Sequence, residues 1–218
     1  MSLWPTALLF KGLGVSPAVA KLFSMTMTVV AVMGLFALGR ILVGPWMGWC
    51  AGLAFLFTNH VLRIARQCRP DLPLIGFQVL AFLGLVLAQG NRHRRGWYLL
   101  TGLASLGAIM TKEVVGLVPL AAAVGYFILR RQWRELFHPA FLGAIVLAIG
   151  PVAGWVWLEK ALTHDTLWKN YFQQSFAFFL TEAEHLRQPW TYYGWAILDK
   201  YWYLLPWALA GGWIALRQ

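Results

Sequence analysis

Long apolar runs separated by short polar links set the rhythm of this chain, and the links hold most of its charge. A helix that crosses a hydrocarbon core of about 30 Å needs about 20 mostly apolar residues. Runs 22–38, 44–62, 72–88 and 139–158 meet that requirement, and 203–216 forms a shorter one. Between Trp97 and Leu129 only Lys112 and Glu113 interrupt the apolar pattern. As a single helix this stretch would be about 50 Å long, so it reads as two spans turning at Thr111-Lys112-Glu113. The pattern predicts an all-α polytopic membrane protein of about seven spans, with one transmembrane domain over residues 1–218. Residues 1–21, broken by Pro5, Gly12, Gly14 and Pro17, read as an interfacial lead-in; they lack the basic start and small-residue cleavage site of a signal peptide. Residues 159–203 read as an aromatic-rich loop on the non-cytoplasmic side.

Composition agrees with that picture. Of 218 residues 60% are hydrophobic and 12% charged, where soluble domains carry about 25% charge. The net charge of +10 does not form one face or stripe, which sets nucleic acid aside as a partner. Sorted by side, Arg40, Arg92, Arg94, Arg95, Arg130, Arg131, Arg134 and Arg217 fall together with Glu135, a net of +7. The positive-inside rule makes that side cytoplasmic. The remaining +3, from 10 basic and 7 acidic residues, lies on the opposite side, where topology does not explain it. Cys50 and Cys68 would be about 27 Å apart along a helix, too far for a disulfide. The sequence holds no Cys/His metal spacing, phosphate loop or catalytic serine elbow.

Ionisable groups at membrane depth are functional candidates, and three places qualify. Arg63, Arg66 and Arg69 precede Pro70-Asp71. If the helix runs on to Gln67, Arg63 and Arg66 share a face, and Asp71 can cap the helix that starts at Leu72. Three arginines at the mouth of a bundle suit a lipid phosphate, which Arg grips bidentately; the alternative is that they snorkel to lipid head groups. Lys112 can hold a phosphate as a point charge, or pair with Glu113 to close a tight turn. The third place is 159–203, with Trp168, Tyr171, Trp190, Tyr192, Tyr193 and other aromatics around His185. Such rings fit a sugar-stacking surface or the ordinary interfacial belt, and His185 serves equally as a structural hydrogen-bonding residue. Gly48 with Gly52, and Ala104 with Ala108, are small-xxx-small pairs that let helices approach closely.

In order along the chain, Leu38-Gly39-Arg40, Arg69-Pro70-Asp71, Ala108-Ile-Met-Thr-Lys112, Trp133-Arg134-Glu-Leu-Phe137, His185 followed by Pro189-Trp-Thr-Tyr192-Tyr193, and Leu205-Pro206-Trp207 resemble glycosyltransferase family 39. That family contains the protein O-mannosyltransferases and the bacterial lipid A aminoarabinose transferase. The resemblance implies a GT-C fold and a polytopic enzyme that moves a sugar from a polyprenyl-phosphate donor, with inversion, to a lipid, glycan or protein acceptor on the non-cytoplasmic face. Lys112, with Arg63, Arg66 and Arg69 beside it, is expected at the donor phosphate. Asp71 and Glu113 are expected at the site wall, and His185, Tyr192 and Tyr193 in the loop over the site.

Two positions depart from the family pattern: Glu113 stands where glycine usually follows the lysine, and no arginine occurs between Asn170 and Leu186. The family's catalytic base is an acid in the first outer loop, and no acidic residue precedes Asp71. The expectation is a chain truncated at its start and cut off at Gln218, lacking that loop and inactive alone. No cofactor is required by the pattern, and a divalent metal stays open. The expected partners are a polyprenyl-phosphate-linked sugar and membrane lipids, in a bacterial inner membrane with the site facing outward. A transporter or flippase of a lipid-linked molecule is the competing reading, though no paired Gly/Pro-interrupted spans in matching halves support it. A non-catalytic membrane scaffold is the third.

Overall fold

A computed structural model describes residues 3–67, 69–90 and 94–163, with isolated positions between 191 and 206. Every regular element among the described residues is a helix: α1 Leu3–Leu13, α2 Pro17–Leu42, α3 Pro45–Leu56, α4 Asn59–Ala65, α5 Asp71–Gly90, α6 Arg94–Thr111, α7 Glu113–Gly116, α8 Val118–Leu129, α9 Trp133–Leu136 and α10 Pro139–Thr163. The chain divides into two compact units, Met1–Trp157 and Leu158–Gln218. The first unit holds α1 to α9 and most of α10.

The lead-in is more regular than its prolines and glycines suggest. Pro5 falls in the first turn of α1, where a missing N–H costs no helical bond. The break comes at Gly14, whose φ of 82° suits glycine. Ser16 then caps α2, its Oγ accepting from Val19 N at 3.2 Å, with Pro17 in the first turn.

Among the described residues three helices are long and apolar enough to cross a membrane unaided: Pro17–Leu42, Asp71–Gly90 and Pro139–Leu162. The expected span 44–62 is divided. α3 has only 12 residues and ends at Phe57; Thr58 takes an extended conformation, returns its Oγ1 to Ala54 O at 2.8 Å, and α4 starts at Asn59. The polar Thr58-Asn59-His60 step is where this happens, because a threonine hydroxyl competes for the carbonyls that continue a helix. The stretch 97–129 breaks where expected. α6 ends at Thr111, whose Oγ1 bonds back to Gly107 O at 2.7 Å, and Lys112 is extended at φ −146°. Pro119, in the first turn of α8, disfavours helical continuation through the residue before it. Residues 203–216, the seventh expected span, lie outside the described residues.

The helices run back and forth between two ends. Tyr98 near the start of α6 and Phe127 near the end of α8 both meet Phe141 of α10, with ring centroids 5.6 and 5.2 Å apart, so α6 and α8 are antiparallel. These three rings are fully buried and centre a core that includes Leu85, Ile109 and Leu120. A smaller cluster of Val61, Ile64 and Leu72 ties α4 to α5.

Close backbone approach replaces large side chains where helices cross, as expected in lipid, where no apolar driving force separates helix from bilayer. Gly48 is buried against α2: a Cβ there would lie 2.5 Å from Phe36 O and 3.1 Å from Arg40 N. Gly52 continues that contact, so this small-residue pair does what its spacing suggested; Ala104 and Ala108 are buried in α6. Gly48→Val should therefore force α2 and α3 apart and cost about 1–3 kcal/mol, the range for overpacking. Gly125→Ala, inside α8 with nothing within 4 Å, should instead leave stability unchanged or raise it by up to about 1 kcal/mol. Thermal unfolding in detergent micelles checks both.

Candidate functional site

The charged groups that topology leaves unexplained gather at one end of the α5–α6 pair. Lys112, at the break after α6, donates from Nζ to Asp71 Oδ1 at 2.6 Å, across 41 residues of sequence. Arg69 Nε stands 3.8 Å from Asp71 Oδ2. Asp71 is the first residue of α5 rather than the residue before it. Its carboxylate thus faces the positive end of the helix dipole and serves as the partner of two cations; the capping role expected from sequence gives way to this pairing. The ammonium of Lys112 reaches across the bundle to α5. Of Glu113 the structure fixes the backbone, which opens α7.

Three further contacts hold this end in shape. Ser24 Oγ, buried in α2, donates to Arg69 O at 3.1 Å, fixing the link that carries the arginine. Gln78, seven residues into α5 from Asp71 and so on nearly the same helical face, donates from Nε2 to Val115 O at 2.8 Å. That ties α5 to α7, three residues beyond Lys112. Gly116 N bonds to Lys112 O at 2.7 Å, and Gly116 lies so tightly on Ala108 and Ile109 that no Cβ fits there. Sequence reading missed Ser24 and Gln78; their signal was a polar side chain within an otherwise apolar span.

Arg63 lies in the last turn of α4 and Arg66 is its C-cap. Both are exposed, as is Arg69, while Val61 and Ile64 of the same helix are buried. The helix stops at Ala65 instead of running to Gln67, and the three arginines lie along the chain segment that leads into Asp71. The site end therefore combines three exposed arginines with a lysine whose carboxylate partner is itself partly exposed. Such an arrangement can bind an anion of phosphate type, with Lys112 able to exchange Asp71 for a ligand oxygen. His185, Tyr192 and Tyr193 lie outside the described residues, as does Cys68; Cys50 is free. Among the described residues no three His, Cys, Asp or Glu side chains come together as a metal site.

At the opposite end, Glu135 is bound from two sides. Arg94 Nη1 donates to its Oε1 at 2.7 Å and the buried Tyr98 hydroxyl to its Oε2 at 3.1 Å. Its sequence signal was that it is the single acid among eight arginines on its side.

The family described as Dolichyl-phosphate-mannose-protein mannosyltransferase matches residues 1–157, a stretch that runs from α1 through most of α10 and contains both charged clusters. The chain belongs to this family. It is a family of GT-C membrane glycosyltransferases, in keeping with the helical architecture and the order of motifs. Two curated proteins called Undecaprenyl phosphate-alpha-4-amino-4-deoxy-L-arabinose arabinosyl transferase are similar to the chain. That of Edwardsiella ictaluri (strain 93-146) is 28% identical over 200 residues, 85% of this chain and 35% of the relative. That of Enterobacter sp. (strain 638) is 28% identical over 135 residues, 59% of this chain and 22% of the relative. The chain thus spans about a fifth to a third of the length of these relatives. No solved structure matches it.

The Asp71–Lys112 pair is open to its surroundings, with 31% and 42% of the two side chains exposed, and pairs of that kind contribute about 0–1 kcal/mol. Asp71→Asn or Lys112→Met should each shift stability by no more than about 1 kcal/mol. The charge-swapped variant Asp71→Lys with Lys112→Asp should melt slightly below wild type in micelles, since it sets a cation beside Arg69 at the positive end of the α5 dipole. A loss of several kcal/mol in either single variant would instead make the pair a structural fastener.

Proposed function

We propose that these residues form the phosphate-binding end of a membrane glycosyltransferase that uses a polyprenyl-phosphate sugar donor. The observation that carries the proposal is the 2.6 Å contact between Lys112 and Asp71, set beside three exposed arginines at the end of the helical bundle. A half-exposed lysine held by the half-exposed carboxylate of Asp71 is ready to move to a competing oxyanion. Its charge-assisted bond to a phosphate oxygen is of the stronger class. Arg69 shares Asp71 and moves with it. Arg63 and Arg66 add charge at the mouth and draw an anionic head group from the lipid phase. The names of the two curated relatives, both transferases acting from undecaprenyl phosphate, support this reading, and the sign of the charge agrees with it.

In this reading the Lys112 end faces the periplasm or cell exterior of a bacterial inner membrane, since the opposite end carries the larger arginine excess. The donor is a sugar of hexose or pentose type, and the acceptor is a lipid, glycan or protein. The loop 159–203, with His185, Tyr192 and Tyr193, covers the site and contacts sugar and acceptor. Asp71 is engaged by two cations, so the base that takes the acceptor proton is not assigned to it.

For the purified chain in micelles, Lys112→Ala should weaken binding of undecaprenyl phosphate by about 10–100-fold, the worth of one hydrogen bond between charged groups. Titration calorimetry or native mass spectrometry reads this directly. The charge-swapped Asp71→Lys with Lys112→Asp should fold and yet bind more weakly than wild type. Unchanged affinity in Lys112→Ala overturns the assignment of Lys112.

A further inference from the structure

The link between α8 and α10, at the end of the α5–α6 pair far from Lys112, carries three arginines that the phosphate site does not use. α8 closes with a complete Schellman motif: Gln132 N donates to Phe127 O at 2.8 Å and Arg131 N to Ile128 O at 3.0 Å. The residue that turns left-handed in such a motif is usually glycine, with asparagine next. Here it is Arg131, at φ 54°. A strained arginine in a position that glycine fills freely is a residue retained for its side chain.

Its neighbours present a mixed surface. Arg130, Arg131 and Arg134 are all exposed. Arg130 is oriented by the ring of Tyr126, 6.0 Å from its guanidinium carbon. Trp133 and Phe137, four residues apart and thus stacked on one side of the short α9, are 51% and 66% exposed, and Leu129 is 85% exposed. The one acid of the stretch does not neutralise this surface, because both oxygens of Glu135 are taken on the inner side by Arg94 and Tyr98. The segment joins the apolar α8 to the apolar α10, which places it where hydrocarbon meets water. Aromatic rings there sit at head-group level, and guanidinium groups face the phosphates.

We propose that Arg130, Arg131 and Arg134, with Trp133 and Phe137 as the apolar floor, form a binding surface for anionic phospholipid head groups. The arginines grip lipid phosphates bidentately, and the two rings and Leu129 pack against the upper acyl chain. The surface is separate from the Lys112 end and does not depend on the donor.

Charge that only orients the protein in the membrane is satisfied equally by lysine, so Arg130→Lys with Arg131→Lys and Arg134→Lys keeps that role and removes bidentate grip. The purified chain in micelles doped with equal amounts of phosphatidylglycerol and phosphatidylcholine is read by native mass spectrometry for the ratio of the two lipids retained. The triple lysine variant should lower the phosphatidylglycerol preference about fivefold, the worth of one net hydrogen bond, with an unchanged melting temperature in phosphatidylcholine. Arg131→Gly gives the second arm. Relief of the left-handed backbone should keep or raise the melting temperature, while the phosphatidylglycerol preference falls. An unchanged ratio in the triple lysine variant, or in Arg131→Gly should the triple variant not fold, overturns the proposal and leaves these arginines as charge alone.

Discussion

The antiparallel packing of α5 on α6 fixes where every important charge stands, because two helices joined by a short link and pressed together along their length must bring the start of one to the end of the other. That packing is made by small groups. A Cβ on Gly84 would lie 2.8 Å from Trp97 O, and Thr101 Oγ1 lies 3.3 Å from Ala81 O and 3.1 Å from Trp97 O. In lipid, where apolar side chains gain little by leaving the bilayer, backbone proximity and such short polar contacts supply the attraction. Asp71 meets Lys112 at one end as a result, and Arg94 with Tyr98 is set to receive Glu135 at the other. The charges do not assemble the pair of helices; the pair of helices assembles the charges.

This order of causes explains how much the sequence could tell. The helical class, the break at Lys112 and the small-residue crossing at Gly48 and Gly52 were legible because each is a local matter of apolar length, a polar interruption or a side chain too small to obstruct. The division of the 44–62 run was not. Thr58 marks it by a side-chain bond to Ala54, one turn back, and threonine is tolerated in many unbroken spans. The pairing of Lys112 with Asp71 was also hidden, because the two are 41 residues apart and only the return of the chain brings them together. The residues of the 159–203 loop stand on resemblance alone, since aromatic composition fits a sugar surface and a membrane belt equally.

The two ends of the bundle use their ions in opposite ways. At the Arg94 end the carboxylate is saturated by a guanidinium and a buried hydroxyl, and Glu135 has no reason to let go. At the Lys112 end the carboxylate faces two cations at unequal distance, both partly open to their surroundings. The first arrangement is a clamp and the second an exchangeable contact. The two are separated by the length of α5.

The hydrogen bond from Gln78 to the main-chain oxygen of Val115 has a consequence for how this chain can change over time. The bond is specified at one end only. Any residue with an ordinary backbone can stand at position 115 and still offer the same carbonyl, whereas the donor at 78 must keep its amide and its reach. Related chains can therefore vary freely at position 115, and this fastening of the turn will be invisible to anyone who looks for it in the turn itself. It is written one helix away, in a single polar residue among apolar ones.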